Sequence, residues 1–194
     1  MFLFCFQAIV RGEDARGLEL SDLFASAILP VGSGHEQLLI GATIRDGKTN
    51  ANGNTLFSFV TRHCSPFICA VNAIGFHLFH KFHISTGEEI NFTSRRFWYR
   101  VKLFHNFKSE LDKELTYVAH KDSIEACFSA LNLNYSKKTH IGRGSGATMA
   151  ANAGASVEDI KTCGHWNNSV VANVYLNGVK PKESITGLAG LFLF

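Results

Sequence analysis

From Ile68 to Phe82 the chain is almost continuously apolar, with Ala70, Ala73, Ile74, Phe76, Leu78, Phe79 and Phe82 covering most of a helical wheel. A helix that is apolar on nearly every side is stable only when other elements cover it. The stretch therefore predicts a buried helix at the centre of a folded domain. The length, 194 residues at 46% hydrophobic and 18% charged, suits one domain and is too short for two comfortable ones. With only three prolines and no long Ser, Gln or Glu run, the apolar content is high enough to offset chain entropy, which argues against disorder.

Around that helix the pattern is mostly helical. Residues 3–17 read as one helix. Leu38–Ile44 and Thr55–Val60 are apolar and partly β-branched, and they flank the Asn/Gly-rich connection 45–54. They read as a hairpin, because Asn and Gly tolerate the positive φ of tight turns. A second helix is expected over Lys121–Ala130. Small residues then run from Gly144 to Asn152, and Gly154 acts as a stop. Ser156 caps a helix over Val157–Thr162, Gly164 stops it, and a last helix runs from about Asn168 through Leu176. The expected fold class is mainly α with a small antiparallel β-hairpin or sheet (α+β), as one domain over 1–190 with a short tail at 191–194.

Nineteen Lys plus Arg against sixteen Asp plus Glu give a net charge of +3, so any nucleic-acid surface must be local. The five cysteines, Cys5, Cys64, Cys69, Cys127 and Cys163, are odd in number and scattered, which fits a reducing compartment and not a disulfide scaffold. The apolar opening, Met1–Val10, has no basic n-region ahead of it, meets Arg11 directly and has no small-residue cleavage site, and it is too short to span a bilayer. No membrane partner is expected. The sequons at Asn91, Asn134 and Asn167 matter only in a secreted protein.

His77, His80 and His83 invite a metal reading. Steps of three rotate them around a helix, and no nearby carboxylate completes a ligand set, so they read as histidines standing in for aromatics. Cys64 and Cys69 lack a matching second pair. A different constellation carries chemistry: Arg11 near the start, Lys48 on the hairpin, His140-Ile141-Gly142-Arg143, Trp166 and Tyr175. Two guanidiniums can clamp the non-bridging oxygens of a phosphodiester without a metal, while a histidine and an indole N–H add donors. A lysine can protonate the leaving oxygen, and a tyrosine hydroxyl can attack phosphorus in line. Taken singly, Arg11 also reads as a helix charge paired with Asp14 or Glu13, and Tyr175 as a packed helix aromatic. A basic and aromatic stretch, Arg95-Arg96-Phe97-Trp98-Tyr99-Arg100-Val101-Lys102, suits phosphate contact or a loop anchored on the core; Lys137 and Lys138 add positive charge beside His140.

The blocks Ile9–Asp14, Leu18–Leu23, Gly47–Asn50, Lys138–Ala147, Gly154–Ser156, Gly164–Asn168 and Tyr175-Leu176 resemble the tyrosine recombinase/integrase catalytic-domain family. The likeness is greatest to its fungal branch, which comprises domain II of the centromere-binding kinetochore subunit and the Crypton-type recombinases of mobile elements. The resemblance implies that Arg11 and Arg143 are phosphate-clamping arginines, Lys48 the general acid, His140 the motif histidine and Tyr175 the nucleophile. Trp166, nine residues before Tyr175, takes the position held by histidine or tryptophan, with the adjacent His165 as the other candidate ring. It also implies double-stranded DNA as partner, with Arg95, Arg96, Arg100, Lys102, Lys137 and Lys138 as further DNA contacts, assembly of copies on DNA, a nuclear location, and no cofactor or metal. Family members carry a separate N-terminal clamp domain and a C-terminal docking tail, so the chain is expected to be truncated at its N-terminus. Two functions follow from the resemblance: a DNA-binding module, or an active recombinase working through a 3′-phosphotyrosyl intermediate.

Overall fold

A computed structural model describes residues 1–29, 34–45, 55–85, 90–105, 110–135 and 138–168. The single helix expected over 3–17 is broken into α1 (Phe2–Gln7) and α2 (Gly12–Gly17). The break is at Ile9, whose φ of 52° is unusual for a β-branched residue. Burial explains it. Ile9 is 3% exposed and packs with Ala147, Ala150, Ile160 and Trp166, and burying such a side chain contributes about 1.5–3 kcal/mol, enough to offset local backbone strain of about 1–3 kcal/mol.

The hairpin is present as β2 (Gln37–Ile44) and β3 (Leu56–Thr61), paired antiparallel with Ile44 opposite Leu56. Its connection, with Lys48, lies outside the described residues. The addition is β1 (Leu23–Ile28), which pairs antiparallel with the other side of β2 and makes a three-stranded sheet in the order β1-β2-β3. Side chains alternate across the sheet. Ala42, Ile44, Ser58 and Val60 are buried on the inner face, whereas Phe24, Phe57 and Phe59 cluster on the outer face with ring centroids 5.9–6.5 Å apart.

The central apolar stretch forms α3 (Ala70–Phe79) and continues as a wider π-helical turn over His80–Ser85. It is buried along one side only: Ala70 and Ile74 enter the core, but Phe76 and Phe79 are 68% and 56% exposed. The all-round burial expected from the sequence is therefore corrected. His77 Nε2 donates to the Leu103 carbonyl at 2.8 Å and its ring lies 5.3 Å from that of Phe104, so it serves the core. Among the described residues no group of three His, Cys, Asp or Glu side chains could hold a metal ion.

The surprise in this segment is Lys81, fully buried, whose Nζ donates to the Lys102 carbonyl. Burial pulls its ammonium down to about 8 from an ordinary 10.5. Below pH 8 both folded and unfolded chains hold the proton and the full cost of burial is felt; between about 8 and 10.5 the unfolded chain binds more protons, so this group makes stability rise with pH. Lys81→Met is expected to raise the thermal midpoint at pH 7 and to flatten its rise between pH 8 and 10, the difference being about 2–3 kcal/mol. Parallel pH profiles for parent and variant would contradict this.

The chain then crosses α4 (Arg95–Trp98) and runs along segment 18–20, with Leu20 N–H donating to the Val101 carbonyl and Leu103 N–H to that of Leu18, both at 2.8 Å. α5 (Tyr117–Ala130) starts four residues before the expected Lys121, because the Thr116 side chain caps it through the Ala119 N–H at 3.2 Å. α6 (Ile141–Asn152) ends at Gly154, whose φ of 92° suits glycine. α7 (Val157–Cys163) begins at Ser156, whose hydroxyl accepts from Asp159 N–H at 3.1 Å.

α6 lies against α1 through two glycines. A β-carbon at Gly142 would sit 3.3 Å from the Phe2 carbonyl oxygen, and one at Gly146 would sit 1.9 Å from that of Phe6. The two helices thus touch backbone to backbone. This contact joins the main core, built from α1, α3, the inner sheet face and Val101–Phe104, to the smaller cluster around Ile9, Ile160 and Trp166.

Candidate nucleic-acid interface

The kink at Ile9 turns the chain so that Arg11 becomes the N-cap residue of α2 in an extended conformation, with φ −71° and ψ 149°. Its Nη1 lies 3.9 Å from Oδ2 of Asp14, and these side chains are 17% and 6% exposed. The pairing anticipated from sequence exists, but in the interior and not on a solvated face. Burial pushes the Asp14 carboxyl up, opposed first by Arg11; Glu13 adds to the rise, and Arg143 also opposes it. Arg143 therefore acts at the same place from a different element.

Arg143 sits in the first turn of α6 and is 2% exposed. Its Nη2 donates to the Gly164 carbonyl at 2.6 Å, and its guanidinium carbon lies 4.6 Å from the centre of the Trp166 ring. A planar guanidinium suits both contacts, a directed hydrogen bond at its edge and an aromatic face on its plane. The ring passes so close to Gly164 that a β-carbon there would lie 2.8 Å from it. Gly164 stops α7 with an ordinary φ of −80°, so room for Trp166, and not backbone freedom, is what requires glycine.

The next residue, His165, has φ 52°, and its Nε2 is 2.9 Å from the Ser58 hydroxyl on the inner face of β3. Burial lowers its pKa, and the charges of Arg143 and Arg11 lower it further. Four segments thus meet here: the start of α2, the first turn of α6, the turn after α7, and β3. Two guanidiniums, an imidazole and a hydroxyl gather here, with the Asp14 carboxylate offsetting part of the positive charge, and the donors suit an oxyanion. Sequence reasoning did not single out Ser58, and nothing in its local pattern marks it; its place on the buried face of β3 and the turn after α7 bring it together with His165.

His140, the N-cap of α6, is exposed and faces a neighbouring cleft lined by Tyr117, Lys121, Glu125, Tyr135 and Lys138. Behind it, His120 is buried, lies 3.3 Å from Arg16 Nη1, and fills the space beside Gly12, where a β-carbon would be 2.8 Å from its ring. Burial, and then the Arg16 charge, hold His120 down to about 4. This packing sets the start of α2 against the His140 turn.

Of the other basic positions, Arg95, Arg96 and Arg100 are exposed, with Arg96 lying 4.6 Å from the Phe97 ring centre, and Trp98 packs near Phe92. Lys102 turns inward, 3.2 Å from Glu19 Oε1 and 3.0 Å from the Gly17 carbonyl, and Lys138 pairs with Glu125. Lys48, Lys137 and Tyr175 lie outside the described residues.

Residues 1–184 match the family described as the centromere DNA-binding protein complex CBF3 subunit, domain 2. A search of curated protein sequences finds no match. Among solved structures, the XerH site-specific recombinase bound to palindromic difH substrate, in a post-cleavage complex, has a TM-score of 0.59 at 14% identity over 92% of this chain and 41% of that one. The XerA recombinase gives 0.57 at 13% identity over 89% and 50%. The Tn1549 transposon integrase in complex with a circular intermediate DNA gives 0.53 at 14% identity over 90% and 52%. The chain spans less than half of the XerH chain and about half of the other two, and at these identities the likeness is one of fold alone.

Proposed function

The chain belongs to the family of the centromere DNA-binding CBF3 subunit, domain 2, built on a tyrosine-recombinase fold, and from that footing we propose that it is a DNA-binding module gripping duplex DNA mainly by its phosphates. The observation that carries this reading is geometric: Arg143 is bonded to the Gly164 carbonyl and stacked on Trp166 beside His165, which meets Ser58, while Arg11 pairs with Asp14 at the start of α2, and both arginine charges bear on Asp14 and His165. Positive charge concentrated in a low-dielectric site attracts an anion more strongly than the same charge in water. In a family described by its DNA binding, the anion is a backbone phosphate. Exposed Arg95, Arg96 and Arg100 extend the contact along the duplex by releasing counterions. A nuclear location and side-by-side assembly of copies on the DNA belong to this same proposal, which the family's centromere DNA binding supports. Among the described residues no helix is long and apolar enough to cross a membrane.

Binding of this kind does not require strand cleavage. Cleavage would add Lys48 as the acid and Tyr175 as the nucleophile. One experiment separates the two. Affinity for a mixed-sequence duplex is measured from about 50 to 200 mM salt, and a duplex nicked beside the candidate phosphate is tested for covalent capture. The module reading expects salt-sensitive binding without an adduct, and about tenfold weaker binding for Arg11→Ala, the loss of one charged hydrogen bond. Absence of salt-sensitive binding overturns it. An adduct that disappears in Tyr175→Phe replaces it with strand transfer.

A further inference from the structure

α5 and the turn at 138–140 face each other across a cleft of about 440 Å³, with His140 at one side. Within it Glu125 pairs with Lys138 and, at 3.7 Å, with Lys121. Tyr117 and Tyr135, 55% and 53% exposed, stand at its walls. The carboxylate thus holds two ammonium groups in an open cleft whose side residue His140 is one helical turn before Arg143.

Resting on the DNA-binding reading above, we propose that this cleft is a second phosphate subsite and that Glu125 is its built-in competitor, displaced when the backbone of DNA enters. A carboxylate and a phosphodiester present the same feature to a pair of lysines: one negative charge shared by two oxygens. The Lys121–Glu125 pair is solvated, with side chains 46% and 43% exposed, and Lys138 is half-buried; an ion pair on an exposed carboxylate contributes little net stability, so exchange costs little. Meanwhile Glu125 keeps both lysines extended into the cleft and hides their charge from weak or isolated anions. A duplex overcomes the competition because each phosphate it neutralises also releases a condensed counterion. The tyrosine rings supply flat apolar walls suited to a sugar or an exposed base. The hydrogen bond from Lys138, then its charge and that of Lys121, hold the Glu125 carboxyl below its usual range.

The test is a set of affinities for the same mixed-sequence duplex at about 100 mM salt, with melting midpoints measured alongside to show that each variant is folded. Glu125→Gln is expected to tighten binding about fivefold, close to 1 kcal/mol. Lys121→Ala and Lys138→Ala are expected to weaken binding and to lower the salt slope by about 0.9 each. In the Lys121→Ala/Lys138→Ala background, Glu125→Gln is expected to lose its gain. Glu158→Gln, which removes an exposed acid paired with Lys161 on α7, controls for net charge. Equal effects of Glu125→Gln and Glu158→Gln, or a gain that survives loss of both lysines, overturn the proposal while leaving DNA binding intact. If neither parent nor variants bind DNA, the underlying reading fails and this one with it.

Discussion

Placing one methyl group at position 146 is expected to lower stability by about 3 kcal/mol, the upper end for overpacking. The thermal midpoint should fall by roughly 10 °C in a domain of this size. The β-carbon of Gly146→Ala would lie 1.9 Å from the Phe6 carbonyl oxygen, 2.9 Å from its carbon and 3.4 Å from its α-carbon. Those atoms are backbone, so no side-chain rotamer can relieve the clash and α1 must move away from α6. Such a shift disturbs both the main core, through Phe4 and Cys5, and the Ile9 cluster. Gly17→Ala is the matched control, since nothing lies within 4 Å of its added carbon and alanine favours a helix. A thermal melt in which Gly146→Ala and Gly17→Ala behave alike would show that α1 and α6 do not meet as described.

The second large effect is expected at Arg143. Alanine there removes a guanidinium that bonds the Gly164 carbonyl at 2.6 Å and faces the Trp166 ring, and it leaves that buried carbonyl short of a charged donor. The loss should be about 3 kcal/mol of stability. DNA affinity, measured at a temperature where the variant is still folded, should drop more than tenfold, consistent with loss of a charged phosphate contact. Arg143→Lys separates charge from shape. Lysine restores a positive charge but not a plane for Trp166 or a fixed fork of donors, so it should recover only part of either quantity. Full recovery by lysine would mean that charge alone matters at this position.

Much of the architecture was legible from local pattern. The two strands of the hairpin, the caps at Ser156 and the stop at Gly154 depend on residues close in sequence, and the structure has them at or near those positions. β1 was not legible, because Leu23–Ile28 alternates small residues with little strand character and is a strand only because the free edge of β2 receives it. Lys81 was equally hidden. A lysine within an apolar run reads as a surface residue, and its burial depends on the carbonyl of Lys102 arriving from a distant segment.

The site divides in the same way. Residue types and spacing were enough to single out Arg11, His140, Arg143 and Trp166 as candidates and to name the family whose pattern they follow, because anion chemistry and short motifs are written along the chain. Only the tertiary structure decided that Arg11 and Arg143 share Asp14 and His165, that Ser58 joins them, and that Lys102 and Lys138 are engaged by carboxylates. The physical reason is that burial and electrostatic pairing depend on distances between segments that are remote in sequence, here set by the kink at Ile9 and the close approach of α1 to α6, and a linear pattern carries no measure of those distances.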